Sequence, residues 1–243
     1  FQNEIQKDFS QSEIFDIFYK SKRLLLFLIK NGIFKFDEQL KEKIKNQNYH
    51  DYFSESDKNH EEAKEKGEND SYICQLIRED SIEDFITYIH KTGCPLSSTI
   101  KPSIYETNSM ILHRQLTLLD YAFFCGSIQV VEYLLSQGEK LTDTLWIYAI
   151  HSNNAEIIQL LEDKNTSLKV GVCYGTWLKA ALKCQHNDVA TYIQENYIQN
   201  SCTWCFQFFN YSKLSECEIN NEFFLCACKY NYIELVKLLL NDA

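Results

Sequence analysis

Glycine and proline are scarce in this chain of 243 residues, with 7 and 2 copies, which argues against an all-β architecture that must turn often. Helices joined by polar loops are the class that remains. Positive charge is also short: 24 Lys and Arg stand against 34 Asp and Glu, a formal net charge of −10. A nucleic-acid backbone is held by Lys and Arg, so such a ligand is excluded as the main partner, and an anionic membrane surface with it. Long apolar runs are missing too. The longest, Leu24 to Ile29, has six residues, against about 20 for a helix that spans a bilayer. No basic and then apolar leader follows Phe1, so nothing there reads as a signal peptide; both ends read as cuts through a longer protein.

What is present supports a large core. The chain is 45% hydrophobic and 14% aromatic, enough for one sizeable domain or a short array of repeats. Its ten Cys sit at irregular spacings in segments that otherwise read as core, and a chain of this size folds without disulfide staples. They are expected as reduced thiols, which points to an intracellular, cytoplasmic or similarly reducing compartment.

The stretch Thr117 to Leu141, TLLDYAFFCGSIQVVEYLLSQGEKL, organises the rest. Val131, Leu134 and Leu135 stand at i, i+3 and i+4 and give one apolar stripe at helical spacing, with Glu132 and Gln137 on the other side. Upstream, Tyr121 to Cys125 reads as a short helical segment broken at Gly126-Ser127, where Gly lets the backbone reverse and Ser can cap the second helix. Neither helix is long enough to be stable alone. Such a unit must bury its apolar face against a neighbouring copy. Thr117, Leu119, Ala122, Gly126, Gln129, Val130, Val131, Leu134, Leu135 and Gly138 fall in register with the pattern T-P-L-H-x-A-A, x-x-G-H-x-E-V-V, L-L and a closing Gly. Leu118 replaces the Pro and Asp120 the His. On these residues the stretch resembles an ankyrin repeat.

Further copies keep the same register. Ser71 to Ile89 carries Ile73, Leu76, the turn Asp80-Ser81 and an acid at Glu83, suited to the positive end of a helix. Thr144 to Leu161 matches at Ala149 and Glu156, with Asn153 at the Gly position, a residue that tolerates a left-handed backbone. Thr176 to Ile193 matches at Ala180, Ala181, His186 and Asp188, and Glu222 to Leu240 at Ala227, Glu234, Leu235, Val236, Leu239 and Leu240. The starts are spaced by 46, 27, 32 and 46 residues, against a family period of roughly 33. The last long step contains CFQFFNYSKL, which shares an Asn-Tyr pair with CACKYNYIEL, so a truncated repeat is expected between them.

The organisation that results has three parts. Residues 1–49 form a helical cap or a degraded repeat, in which Leu28-Ile29 then Gly32 repeats the order Leu134-Leu135 then Gly138. Residues 50–70 are charged and poor in aliphatic side chains, and are expected as a flexible loop. Residues 71–243 form the divergent array, with repeats near 71–93, 117–141, 144–163, 176–194, a truncated one at 201–217 and a last one at 222–243. The insert Lys91 to Gln115, with Pro95 and Pro102, is expected as an exposed loop. With the turn Pro and most turn Gly gone, plain loops are expected to replace the family's β-hairpin fingers at some junctions. The fold class is thus all-α, an ankyrin-type helical-pair solenoid with degenerate repeats and long inserts. In its Cys and Tyr content it resembles the divergent ankyrin families expanded in single-celled parasitic eukaryotes.

The resemblance implies a non-catalytic scaffold that binds a protein partner, unidentified by the sequence, through its concave face and loop tips. In the family the two residues before the helix-turn Gly lie on that face. Carried over, these are Arg78 and Glu79, Phe124 and Cys125, His151 and Ser152, Lys183 and Cys184, and Lys229 and Tyr230. The structural alternative is an N-terminal capping module with no partner of its own.

Chemistry finds little support in the sequence. The six His are scattered at 50, 60, 90, 113, 151 and 186 without a metal-binding pair or a triad. Gly171 to Gly175 lacks the Lys of a phosphate cradle. No enzyme, cofactor or small-molecule substrate is expected. Cys202-x-x-Cys205, with Cys217, Cys226 and Cys228 after it, is the one cluster with metal-ligand residue types. Cys226 and Cys228 would face apart on a helix, since a two-residue step turns about 200°, so these Cys are expected as small core residues and no metal is assigned. A zinc site around Cys202 and Cys205 is the remote alternative.

Overall fold

The computed structural model describes residues 7–19, 21–35, 52–53, 58–112, 114–164, 174–198 and 202–241. Among them fifteen α-helices and no β-strand are found, and an isolated antiparallel bridge pairs Thr99 with Thr117. The chain is all-α, as its shortage of Gly and Pro predicts. It divides into two compact units, Phe1–Leu118 and Leu119–Ala243.

The first unit opens with α1 (Gln11–Phe18) and α2 (Lys22–Lys30). Ser10 and Glu13 form a reciprocal capping box on α1, and the Ser21 side chain accepts from Leu24 N–H at the start of α2, each satisfying donors that the helix leaves unpaired. Their apolar faces meet in a small core of Ile14, Leu25, Leu28, Ile33 and Phe34. After α2 the left-handed Gly32 lets Ile33 N–H reach the Leu28 carbonyl at 2.9 Å. The order Leu28-Ile29-Gly32 thus builds the same ending as Leu134-Leu135-Gly138, where Glu139 N–H reaches the Leu134 carbonyl at 3.2 Å.

The charged stretch at 50–70 corrects its expectation as a flexible loop, because Lys58–Lys66 folds as α3. Position-specific pairing explains what composition did not show. Lys30 Nζ meets Glu65 at 2.5 Å, and Lys64 Nζ meets Glu61 at 2.8 Å while its stem is buried. The fully buried ring of Tyr52 has the Lys22 and Lys64 ammonium groups 5.1 and 5.9 Å from its centroid, positions at which a cation is attracted to the ring face.

The long insert before Gln115 is not a free loop either. It straps the residues before α4 (Tyr72–Arg78). Lys22 Nζ donates to the Ile104 carbonyl at 2.7 Å, Asn69 Nδ2 to the Lys101 carbonyl at 2.7 Å, and Thr107 Oγ1 to the Gly67 carbonyl at 2.8 Å. Glu106 and Ile111 are buried within it. Helix α5 (Ile82–Thr92) packs on α4 and buries Phe85 and Ile89.

The second unit is a succession of helix pairs: α6 (Leu118–Cys125) with α7 (Ile128–Ser136), α8 (Leu145–Ser152) with α9 (Ala155–Lys164), α10 (Tyr174–Lys183) with α11 (Asn187–Asn196), α12 (Cys202–Gln207) with α13 (Tyr211–Leu214), and α14 (Asn221–Lys229) with α15 (Ile233–Asn241). The first helices pack in sequence, α8 on α10, α10 on α12 and α12 on α14. Trp146 stacks on Trp177 with centroids 4.2 Å apart, and Phe206 meets Phe223 edge-on at 5.0 Å.

One turn geometry recurs inside the pairs. Gly126, Asn153, Gln185, Phe209 and Asn231 all have left-handed backbone, as does Asp80 between α4 and α5 in the first unit. The next residue donates its N–H to a carbonyl five positions back: Ser81 to Leu76, Ser127 to Ala122, His186 to Ala181, Asn210 to Cys205 and Tyr232 to Ala227. This is the six-to-one bond of a Schellman ending. Asn154 instead gives its N–H to Ser152 Oγ at 3.3 Å. The residues at this position in the second unit, Ala122, Ala149, Ala181, Cys205 and Ala227, are all fully buried.

The residue after the left-handed one also ties its pair to the preceding pair. Asn154 Nδ2 donates to the Gly126 carbonyl at 2.9 Å, Asn210 Nδ2 to the Leu182 carbonyl at 3.3 Å, and Tyr232 OH to the Phe206 carbonyl at 3.1 Å. His186 Nε2 lies 3.1 Å from the His151 carbonyl.

Two substitutions test these arrangements. Gly67 has φ +66°, and an added Cβ would lie 2.7 Å from Thr107 Oγ1. Gly67→Ala is therefore expected to destabilise the first unit by at least about 1–2 kcal/mol from the left-handed backbone alone, read by urea unfolding; an unchanged midpoint would refute the strap. Asn210, fully buried, also donates to Asn187 Oδ1 at 2.8 Å and accepts from Lys213 N–H at 3.1 Å. Asn210→Ala strips those buried partners and should cost about 2–4 kcal/mol, a loss that a thermal melt would detect.

Candidate functional site

The ten residues singled out by register all stand one and two positions before a left-handed turn residue, at the C-terminal end of a first helix. None of them is buried. Six of the eight in the second unit lie at the ends of α8, α10 and α14, first helices of a series that packs in sequence from α8 to α14, and Phe124 and Cys125 end α6. Phe124 stacks on His151 with centroids 4.2 Å apart and planes 20° from parallel, and on Tyr121 at 6.0 Å. Ser152 Oγ donates to the Ala149 carbonyl at 2.7 Å, so its hydroxyl is engaged locally. Cys125 and Cys184 are half-buried, Lys183 and Lys229 exposed. Burial pushes the Cys184 thiol up, with Lys183 opposing the shift, so it is a poor nucleophile. Lys229 Nζ sits 5.3 Å from the Tyr230 ring centroid.

Arg78 and Glu79 are described within the first unit. There Arg78 Nε is 3.0 Å from Glu68 Oε2, and its Nη1 donates to the Asn69 carbonyl at 2.8 Å. Its guanidinium holds the segment before α4, which register alone could not show. Glu79 is exposed and accepts from Gln75 Nε2 at 2.9 Å.

Register reasoning also passed over residues that belong with the row. The left-handed Phe209 marks α12 and α13 as a pair with the same turn, so exposed Gln207 and half-buried Phe208 occupy the equivalent positions. Gln185 Nε2 donates to the Phe208 carbonyl at 3.1 Å. The signal was the Asn-Tyr pair at 210 and 211, which repeats at 231 and 232 one residue out of register with the turn.

Two clusters outside the row were not legible from spacing. Between α9 and α11 runs a groove lined by Ile158, Glu162, Val189 and Tyr192 among others. Glu162 accepts from both Tyr192 OH and Tyr197 OH, the latter at 2.6 Å, and Tyr197 stacks on Tyr174 at 4.8 Å. Burial and then the Glu162 hydrogen bond push both phenols up, so they stay neutral donors. The other cluster joins Cys202, Glu222 and Cys226.

No protein-family model, curated protein or solved structure matches this chain.

His151 gives the row a pH signature. Burial, then the neighbouring His186 and Lys183, push its imidazole down to about 4 from an ordinary 6.5. Below pH 6.5 the unfolded chain takes up a proton here that the folded chain refuses until about pH 4, so stability falls as pH drops through that window and is complete above it. His151→Phe keeps a ring against Phe124 and removes the titration. The difference in unfolding free energy between parent and variant should therefore change steadily from pH 6.5 to 4 and be flat above pH 7; a constant difference would refute the shift.

Proposed function

We propose that these helix pairs are divergent ankyrin-type repeats stacked as a solenoid, and that the chain is a non-catalytic scaffold binding a protein partner through the row of first-helix ends. The recurring turn carries this reading: a left-handed residue, with the next residue reaching the preceding pair, fixes each copy against the last. A surface set by such stacking is rigid before a partner arrives, so little ordering entropy is lost on binding. The row within the second unit offers aromatic Phe124 and Tyr230, exposed ammonium groups on Lys183 and Lys229, and a neutral His151. Aromatic anchors with flanking charge suit protein recognition. With two cations and no carboxylate among its eight residues, this part of the row fits an acidic protein surface. The proposed setting is intracellular, in keeping with the free thiols.

The test compares the parent chain with Phe124→Ala, Lys183→Glu, Tyr230→Ala in cell extract, with circular dichroism verifying equal helicity. Arg78 is left intact because its guanidinium holds Glu68 and the Asn69 carbonyl in the segment before α4. A specific partner recovered with the parent should bind the variant at least on the order of 30-fold more weakly, the loss of one hot spot. Equal recovery by both, or no specific partner with either, overturns the site and favours a capping module without a partner of its own.

A further inference from the structure

On spacing alone the cluster from Cys202 to Cys228 is assigned no metal, because Cys226 and Cys228 cannot face one way on a helix. The structure keeps that helix and finds a different pairing. Cys228 is exposed, whereas Cys226 is buried and lies toward α12, with its Sγ 3.8 Å from that of Cys202. Glu222 stands four residues before Cys226, on the same side of α14. A carboxylate oxygen of Glu222 and the two sulfurs all lie within 4.8 Å of one another. Thr203 Oγ1 is 3.4 Å from the Cys226 sulfur.

From this geometry we propose that Cys202, Cys226 and Glu222 bind one zinc-class divalent cation that joins α12 to α14. Two sulfurs held by a tetrahedral ion through bonds of about 2.3 Å are separated by about 3.8 Å, which is the spacing already present between Cys202 and Cys226. A disulfide would need the sulfurs at about 2.05 Å. Two thiolates with one carboxylate favour zinc over magnesium or calcium, which prefer all-oxygen ligands. As each metal–sulfur bond forms, the thiol proton leaves to solvent, and Glu222 binds as carboxylate. Three protein ligands leave the fourth position to water. The Thr203 hydroxyl then donates to the Cys226 thiolate, a partner of the kind that orients metal ligands. Cys205 stays outside the set. It fills the small-residue position at the pair's turn and is fully buried.

The experiment uses the whole chain, reduced, stripped of metal with a chelator and titrated first with Co²⁺ and then with Zn²⁺. One Co²⁺ per chain should bind with a thiolate-to-metal charge-transfer band, Zn²⁺ should erase the band, and thermal stability should rise with zinc concentration. Cys226→Ser should abolish the band and weaken zinc binding at least on the order of 100-fold, while Cys228→Ser changes neither. Should Cys226→Ser fail to fold, Glu222→Gln at the exposed ligand provides the second variant, with the band kept and affinity reduced on the order of 10-fold. The proposal is overturned if the folded parent gives no thiolate band, if Cys228→Ser abolishes the band, or if Glu222→Gln and folded Cys226→Ser both bind as tightly as the parent. A Cys202–Cys226 disulfide in protein isolated with its thiols trapped would overturn it as well.

Discussion

The left-handed turn inside each helix pair is the constraint on which the second unit depends. Its helices run from four to ten residues, too short to persist by themselves, so each must be aimed at its neighbours by something other than its own length. The left-handed residue ends the first helix, and the next N–H closes the carbonyl that the ending would leave open. At Gln185 and Phe209 this backbone is costly for an L side chain, by about 1 kcal/mol. The bond to the buried Ala181 or Cys205 carbonyl offsets that cost, and the next position is then aimed at the preceding pair. Asn154, His186, Asn210 and Tyr232 differ in chemistry and all reach backbone there. The chain repeats a reach and a direction where it does not repeat a side chain.

The first unit is held by different means. Its α1–α2 core is small, and polar groups supply much of the definition. The strap from Lys101 to Thr107 is pinned by Lys22, Asn69 and Gly67, two of them side-chain donors to its carbonyls. Burying Lys22, Lys64, Asn69 and Glu106 is costly without partners. The Ile104 carbonyl meets Lys22, the Glu61 carboxylate meets Lys64, and the Tyr52 ring faces both cations; burial pushes the Glu106 carboxyl up, and backbone N–H groups oppose that shift.

Legibility in the sequence differs from residue to residue. Gly126 and Asn153 announce a left-handed turn because their chemistry favours one; Gln185 and Phe209 do not, and spacing from Ala181 points to the first while the Asn-Tyr pair at 210 and 211 points to the second. Cys205 is of a metal-ligand type but reads from the sequence as a small core residue, and it stands where Ala122 and Ala181 stand, because a thiol is small enough to be buried there. The charged run before Asp70 read as loop because composition carries no register: it cannot show that Glu65 faces Lys30 or that Lys64 lies along Tyr52. The pairing of Cys202 with Cys226 spans 24 residues and two helices, a contact that only the packing of α12 on α14 creates.

That packing lies beside the shortest of the helices described in the second unit. Helix α13 has four residues, and the core position filled by Val130, Ile157 and Val189 in earlier pairs is taken in this pair by Lys213, only 2% exposed and held by Thr191 at 2.5 Å and Glu216 at 2.6 Å. A buried ammonium with two polar partners contributes less to stability than a packed aliphatic side chain. The turn spacing also contracts, from 32 residues between Asn153 and Gln185 to 24 and 22 at the next two steps, which leaves less chain per pair to make up the difference. Where helices are short and apolar burial is thin, a cross-link between neighbouring first helices stabilises most for its size. The two thiols and the carboxylate stand across that junction, on the helices whose alignment the row of exposed first-helix ends requires.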